Sequence, residues 1–313
     1  MTEPARATAP AHAMGAPGSA PQGPPRDLRM SLRYRFWREI RGNRMAMIST
    51  IYLVLIVAVA VVGPLVYDVD PRLQSLANRL HAPSWEHPFG TDQFGRDVLA
   101  RMLHGARISL FVGFAGALGG VVFGTILGLA TGFWGGTWFD HLAMRVVDVM
   151  YAFPGILLAI LIAAILGPSL FNVIVALSIW GIPTLSRIVR GVVLSLREQE
   201  FVIASRAVGA SAARIMARHL VVNAVGPIIV YATLSVAGSI LTAAGLGFLG
   251  LGVPPPNPEW GAMLSDARAV VFRAPYLSYF PGAAIFLTVL AVNFVGDALR
   301  DAFDPRSEVR RMS

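Results

Sequence analysis

Apolar blocks of about twenty residues recur along the chain, and they restrict its fold more than any other feature. The blocks are 45–67, 107–132, 146–166, 170–189, 220–247 and 279–297. A helix needs roughly twenty apolar residues to cross about 30 Å of hydrocarbon. Only 14% of the residues are charged, whereas soluble domains usually carry about 25%. The sequence therefore predicts an all-α membrane protein with six transmembrane helices.

The placement of arginine predicts the orientation of these helices. All 26 basic residues are arginine, and short cytoplasmic loops usually hold the excess of positive charge. With the N-terminus inside, most arginines fall in inner segments, and those in outer segments are mixed with Asp or Glu. We therefore expect both termini in the cytoplasm, outer loops at 68–106 and 248–278, and an inner loop at 190–219.

The two ends of the chain differ in composition from the apolar blocks. Residues 1–25 are rich in Pro, Ala and Gly, which predicts a disordered tail because such a segment buries little apolar surface. Residues 26–44 form a basic amphipathic stretch, which predicts a cytoplasmic segment at the membrane surface. The block at 45–67 is longer than the apolar part of a signal peptide, so we expect an uncleaved first span. Residues 298–313 are predicted as a cytoplasmic tail.

Glycine recurs every four residues along the second apolar block and forms a ridge of small residues. Such ridges allow close approach of a neighbouring helix, which we expect to cross the ridge obliquely. A role in sliding between inward-open and outward-open states is the alternative interpretation. The predicted packing residues are Gly116, Gly120, Gly124, Gly128 and Gly132.

The inner loop places apolar residues at roughly helical spacing among arginines, with Gly209 near its centre. This pattern predicts two short helices that meet at Gly209. An apolar stripe outside the membrane needs a partner surface, although an interfacial helix on lipid headgroups remains the alternative. The outer loop at 248–278 contains four prolines between 254 and 258, which predicts stiff backbone over a pore mouth or a rigid linker.

Several classes of function are disfavoured by what the sequence lacks. Carboxylates and arginines inside the apolar blocks are nearly confined to the block ends, for example Asp148, Asp297, Arg187 and Arg190, which argues against an ion-coupled carrier. The chain has no cysteine, no Walker A loop and no hydrolase motif, so we predict no catalytic site, metal or cofactor of its own. Its arginines are not interleaved with aromatics on a soluble surface, so nucleic acid is not an expected partner.

Four segments resemble one known family. HPFGTDQFGRDVLARMLHGARISL at 87–110 is the most specific, followed by MRVVDVMYAFPGILLA at 144–159, GLGFLGLGVPPPNPEWGAML at 245–264 and NFVGDALRDAFDPR at 293–306. From about 34 to 306 the chain resembles permeases of binding-protein-dependent ABC importers. The likeness is to the C-type subunit of dipeptide, oligopeptide and nickel transport systems. It implies a type I ABC importer permease fold in the bacterial inner membrane, with the core of the permease at 107–297.

The resemblance implies that the inner loop couples the permease to an ATPase. Ile203, Ala204 and Ser205, followed by Gly209, match the family's EAA motif, but the Glu and the second Ala of that motif are replaced. Glu198 or Glu200 is a conjectured substitute for the missing Glu. The predicted coupling residues are Glu200, Phe201, Ile203, Ala204, Ser205, Arg206, Gly209, Ala210, Arg214 and Ile215.

The resemblance also implies partners and a substrate. The expected partners are a homologous second permease, two ATP-binding subunits that hold ATP and Mg, an extracytoplasmic solute-binding protein, and membrane lipid. Dipeptides or oligopeptides are the expected substrate, with nickel chelates, haem or another small solute as alternatives, and a secondary carrier or membrane enzyme as alternatives from other classes. The predicted contacts with the binding protein are Gly90, Thr91, Asp92, Gly95, Arg96, Asp97, Pro254, Pro255, Pro256 and Trp260.

Overall fold

The structure is a computed structural model that describes the backbone of residues 32–303 and the side chains of residues 37–303. Over this range the regular elements are helical, and one isolated β-bridge joins Thr91 to Asp97. The helices are α1 Leu32–Gly42, α2 Arg44–Val66, α3 Val98–Phe133, α4 Trp138–Ala152, α5 Gly155–Leu166, α6 Leu170–Leu196, α7 Glu200–Ala207, α8 Ala212–Ile215, α9 Val221–Phe248, α10 Trp260–Ala267 and α11 Tyr276–Phe303.

Five helices within residues 32–303 are long and apolar enough to cross a membrane. They are α2, α3, α6, α11 and the continuous unit Ala212–Phe248, in which a π-helical turn, Met216–Leu220, joins α8 to α9. All five overlap predicted apolar blocks. The helix α3 begins at Val98, however, so it includes residues that the sequence assigned to the outer loop 68–106.

The third predicted span, 146–166, is not one straight helix. The helices α4 and α5 meet there at an angle of 95°. Phe153 between them is extended, with φ −86° and ψ 133°, because a proline disfavours helical backbone in the residue before it. Pro154 also lacks the N–H that a continuous helix requires. The number of spans reaches six when this bent pair counts as one broken span.

The glycine ridge of α3 packs along α6. A Cβ added at Gly116 would lie 2.6 Å from Leu177 Cβ, and one added at Gly132 would lie 2.6 Å from Val193 Cβ. The contact advances in the same direction on both helices, so α3 and α6 are parallel and wrap around each other along the whole ridge instead of crossing obliquely at one point. A repeat of four residues, longer than the 3.6 of a straight helix, corresponds to right-handed wrapping. All five ridge glycines are buried: Gly116, Gly120, Gly124, Gly128 and Gly132.

An arginine attaches α2 to α3 inside the apolar region. Pro64 lies within α2 and has no N–H, so the carbonyl of Ala60 lacks its usual donor one turn later. Arg107 Nε donates to Ala60 O at 2.6 Å, and Arg107 Nη2 donates to Val61 O at 2.6 Å. The guanidinium thereby satisfies backbone groups that lipid cannot satisfy.

The first helix covers part of the predicted amphipathic segment 26–44. It packs against α11 and α2, and Ile40 is only 2% exposed. Asn43 separates α1 from α2, and its Oδ1 accepts from the N–H groups of Met45 and Ala46 at 3.0 and 3.3 Å, as an N-cap does. The predicted tail 1–25 and residues 26–31 and 304–313 lie outside the described residues.

Candidate functional site

The two ends of the helical bundle contain the segments that the sequence assigned to partner binding. We call residues 197–220 the inner connection, and residues 67–97 with 249–275 the outer cap. These names follow the predicted orientation. The residues predicted at each end occupy different environments in the structure.

The inner connection folds as one short helix, α7, followed by a turn at Gly209 and the first turns of the long unit Ala212–Phe248, so only the first of the two predicted short helices is separate. Gly209, between α7 and α8, has φ +80°, a left-handed conformation that favours glycine because other residues are strained by their Cβ. The N–H of Gly209 donates to Arg206 O at 2.9 Å and that of Val208 donates to Ala204 O at 3.1 Å. This is the tight turn predicted at that position.

One side of the inner connection is fixed to the bundle. Val202 is 0% exposed and Ile215 is 1% exposed. Both join a core cluster that includes Leu185 and Val189 of α6. The Arg206 guanidinium lies over the Phe133 ring, 4.9 Å from its centroid, which links α7 to the end of α3. The connection therefore has a defined position.

The other side of the inner connection presents apolar surface. Val208 is 84% exposed, Ile203 is 54% exposed and Phe201 is 39% exposed. Two residues turn a helix by about 200°, so these side chains expose apolar surface on more than one side of α7, where another body can make contact. We call Phe201, Ile203 and Val208 the apolar patch.

Most of the predicted coupling residues lie on the surface, and one does not. Ser205 and Ala210 are half-buried, whereas Ile215 is buried in the core and is unavailable to a partner. Val208, the most exposed member of the patch, was absent from the predicted set although it falls on the predicted apolar stripe. The exposed members of the set are Glu200, Phe201, Ile203, Ala204, Arg206, Gly209 and Arg214.

The outer cap reverses this arrangement, since most of the predicted contact residues are buried. Of the prolines, Pro254 is half-buried, while Pro255 and Pro256 are exposed. Direct contact with a binding protein stays a prediction, and the buried members of the set expose little surface in this conformation. They are Gly90, Thr91, Asp92, Gly95, Arg96, Asp97 and Trp260.

The buried residues instead shape the cap from within. Asp92 Oδ1 accepts from the N–H groups of Phe94 and Arg96 at 2.8 and 3.0 Å, and Asp92 Oδ2 accepts from Arg96 Nε at 2.6 Å. Gly95 has φ +71°, and a Cβ there would lie 1.8 Å from Ser75 O. The Asp-x-x-Gly-Arg segment is therefore a turn that only glycine permits.

Polar contacts join the two outer segments into one unit. Arg96 Nη2 and Arg101 Nη2 donate to Asp266 Oδ2 of α10 at 3.2 and 3.5 Å. Arg72 Nη2 donates to Asn257 Oδ1 at 2.8 Å. These pairs are separated by more than 160 residues in the sequence, so the sequence offered no local signal for them.

The start of α3 has its own polar anchor. Asp97 is the N-cap of α3, and its Oδ1 accepts from the N–H of Ala100 at 2.8 Å. Its Oδ2 accepts from the Tyr67 hydroxyl at 3.0 Å and lies 2.8 Å from His87 Nδ1. The carboxylate thus joins the end of α2, the outer cap and α3.

Glu259, which sequence reasoning missed, fixes α10 to the bundle. Its carboxylate accepts from the N–H groups of Gly261 and Ala262, both at 2.8 Å, and from Ser109 Oγ at 3.3 Å. Burial raises the pKa of this carboxyl above its ordinary value. The adjacent Trp260 is 0% exposed. The sequence signal for a capping role of Glu259 was its position directly before the apolar run that forms α10.

The exposed surface of the outer cap consists of other residues. Trp85 and Phe272 are fully exposed and Phe94 is 39% exposed. Trp85 lies in the loop between α2 and α3, and Phe272 lies between α10 and α11. None of these aromatic residues was in the predicted contact set.

Family models match both parts of the chain. The model for the inner membrane component of binding-protein-dependent transport systems matches residues 120–309. The model for the N-terminal transmembrane domain of oligopeptide transport permease C matches residues 31–83.

Curated relatives and one solved structure are similar to the chain. A dipeptide transport system permease of Alkalihalophilus pseudofirmus is 48% identical over 86% of this chain and 90% of its own length. A glutathione transport system permease of Escherichia coli is 46% identical over 87% and 90%. A chain of the MetNI methionine ABC transporter in an inward-facing conformation aligns with a TM-score of 0.52 at 19% identity. The alignment covers 65% of this chain and 96% of the MetNI chain, which shows a shared fold.

Proposed function

The chain belongs to the inner-membrane permease components of binding-protein-dependent ABC importers, and we propose that it forms half of a pore for dipeptides or oligopeptides. The other half is a homologous second permease. The names of the dipeptide and glutathione relatives support a peptide substrate. Glutathione is itself a peptide, so both relatives favour the same chemical class.

The apolar patch is the observation that carries the proposal. Its residues lie on α7 and at the C-terminal end of that helix, and Val202 of α7 fixes the helix to the cluster that contains Leu185 and Val189 of α6. When a partner binds an exposed apolar surface that is rigidly connected to a span, movement of the partner also moves the span. We assign this partner to the ATP-binding subunits, which hold ATP and Mg.

The family's Glu is not required for this arrangement. Glu198 and Glu200 are both exposed near the patch, but the exposed apolar side chains of Ile203 and Val208 supply the contact area. Burial of exposed apolar surface at an interface is favourable by about 25 cal/mol per Å². We therefore assign docking mainly to apolar contact.

At the opposite end, the outer cap receives the solute-binding protein. Its buried ion pairs make one firm platform of two distant segments, and its exposed residues Trp85, Phe94, Pro255 and Pro256 provide the contact surface. Aromatic residues are common at such contacts because they bury a large area. Closure of the ATPases then opens the pore toward the cap, and ATP hydrolysis resets it.

Purification of the tagged chain from its native membrane in mild detergent, followed by mass spectrometry, tests the proposal. We expect a second permease and ATP-binding subunits in stable association. Reconstitution of that complex in liposomes with its binding protein should then give ATP-dependent peptide uptake. Recovery of the chain alone or as a homodimer would contradict the proposal.

A further inference from the structure

A mainly apolar cleft that also contains hydroxyl groups lies where α4 and α5 meet at the bend. It has a volume of about 250 Å³ and is lined by residues of α4, α5, α6 and α9, among them Tyr151, Trp180, Thr184 and Tyr231. The Tyr151 hydroxyl donates to Thr184 Oγ1 at 2.9 Å. Hydroxyl groups and flat aromatic faces therefore share one opening inside the bundle.

A charged pair lies at the edge of this cleft. Arg187 Nη2 forms an ion pair with Asp148 Oδ1, and the two side chains are 43% and 49% exposed. The Arg187 guanidinium also lies over the ring of Tyr151, 4.0 Å from its centroid. The pair and the cleft are thus connected through Tyr151.

Arg187 lies near the inner end of the apolar block 170–189. Along α6 it lies about 25 Å from Leu170 and about 14 Å from Leu196, at about 1.5 Å per residue. Charged groups within a span usually face a water-filled path or a protein partner and not lipid, and the contact with the Tyr151 ring directs Arg187 toward the cleft.

A second ion pair between the same helices provides a contrast. Arg190 Nε and Nη2 donate to the two carboxylate oxygens of Asp140, both at 2.7 Å. The side chain of Asp140 is only 1% exposed. The Arg190 side chain is 28% exposed, so that pair is enclosed on its carboxylate side and fixes α4 to α6, whereas both members of the Asp148–Arg187 pair are open.

We propose that Asp148 and Arg187, with Tyr151 and Thr184, contact the termini of a peptide in the translocation path. Once the pair separates, Arg187 takes the terminal carboxylate and Asp148 takes the terminal ammonium group of a dipeptide, whose extended length is only about 7 Å. Peptides vary in their side chains but share these two charged ends. Because the peptide exchanges with an existing ion pair, every charge remains paired during passage. This inference rests on the proposed function, since it names how that pore meets its substrate.

The reconstituted complex with its binding protein tests this assignment in the double variant Asp148→Asn/Arg187→Gln. Removing both charges leaves no orphan charge, so a loss of transport in an assembled complex reports lost contact with the peptide and not an unpaired charge. We expect normal assembly and normal stimulation of ATP hydrolysis by the loaded binding protein. The number of peptides transported per ATP should fall about tenfold, the factor that one charged hydrogen bond supplies.

The matched control is Asp140→Asn/Arg190→Gln, which should lower the yield of assembled complex instead. Wild-type transport efficiency in the Asp148→Asn/Arg187→Gln variant would overturn the inference, and so would its failure to assemble, because that result assigns the pair a structural role. A wild-type complex that moves no peptide would instead overturn the proposed function.

Discussion

The outer cap buries charged and hydroxyl side chains, whereas the inner connection exposes apolar ones. In the cap, Asp92, Arg96 and Asp97 are each less than 10% exposed. Arg96 donates to the Asp92 carboxylate, and Asp97 accepts from the Tyr67 hydroxyl. In the inner connection, Val208 is 84% exposed. Buried polar groups require partners because an unpaired one is costly, so the cap satisfies itself, while exposed apolar groups gain only from an external partner.

The comparison shows that a distinctive sequence motif can determine the backbone and the buried contacts of a segment and not its exposed surface. The motif at 87–110 determines the shape of a turn and the start of α3. The residues available to a binding protein at that end are the less distinctive Trp85, Phe94, Pro255 and Pro256. At the inner end, the motif residues themselves form the available surface.

The largest expected effect is a difference in stability loss between alanine variants of two glycines that have similar backbone conformations. Gly95 and Gly209 have φ +71° and +80°, but an added Cβ at Gly95 would lie 1.8 Å from Ser75 O, whereas at Gly209 nothing lies within 4 Å. Gly95→Ala should cost about 4 kcal/mol from strain and overpacking together. Gly209→Ala should cost about 1 kcal/mol from strain alone. Thermal unfolding of the detergent-solubilised complex measures both. Equal losses would break the contrast between a self-contained cap and an open connection.

A reciprocal pair of surface variants should separate the two partners. Val208→Asp places a charge in the apolar patch and should weaken ATPase association at least tenfold, because the charge is desolvated on docking. Trp85→Asp should weaken association with the binding protein by a similar factor through loss of an aromatic contact. Each variant is the control for the other, and co-purification with quantitative mass spectrometry measures both. Loss of both partners in either variant would show that the two ends are not independent.

A smaller effect concerns the pH dependence of the outer cap. Since burial raises the folded-state pKa of Glu259 above its ordinary value of 4.5, the folded protein binds more protons than the unfolded chain in the window just above that value. Its contribution to stability is therefore present at low pH and decreases as pH rises through the folded-state pKa. The thermal midpoint of the wild type relative to Glu259→Gln should fall as pH rises above 4.5. A midpoint difference that rises over this range would contradict the assignment.

The smallest effect is expected at the exposed link between the two outer segments. Arg72→Gln removes the hydrogen bond to Asn257 Oδ1, and Arg72 is exposed. Surface contacts of this kind usually contribute less than about 0.5 kcal/mol. The thermal midpoint should therefore change little, and a large loss would show that the cap depends on its surface contacts and not on its buried ion pairs.

The apolar blocks predicted most of the fold, because the length of a membrane span is determined locally. The bend at Pro154 was not predicted, although the sequence Phe-Pro-Gly at 153–155 contains the signal for a helix break. The short helix before Gly209 followed from the spacing of apolar residues, but the segment after Gly209 begins the long unit Ala212–Phe248, which was not predicted. Close packing along the glycine ridge followed from its period of four. The sequence predicted that the neighbouring helix crosses the ridge at one point. In the structure the contact residues of α6 also recur every four residues, so α6 follows the ridge from Gly116 to Gly132.

The environment of the candidate site residues could be predicted only in part. Asp266 and Arg96 are paired across 170 positions, and no local pattern connects them. The burial of Trp260 depends on its fit beside Gly105, where an added Cβ would lie 3.2 Å from Trp260 Cδ1. Such contacts arise from the arrangement of the helices, so they became visible only in the structure.

Site-specific cross-linking tests the central claim most directly, because the chain contains no cysteine and a single one can be placed at will. A photoreactive group on Val208→Cys in the native membrane should cross-link to an ATP-binding subunit, and the same group on Trp85→Cys should cross-link to the solute-binding protein. Mass spectrometry identifies each product. Cross-linking of Val208→Cys to lipid alone, with no ATP-binding subunit among its products, would contradict the account.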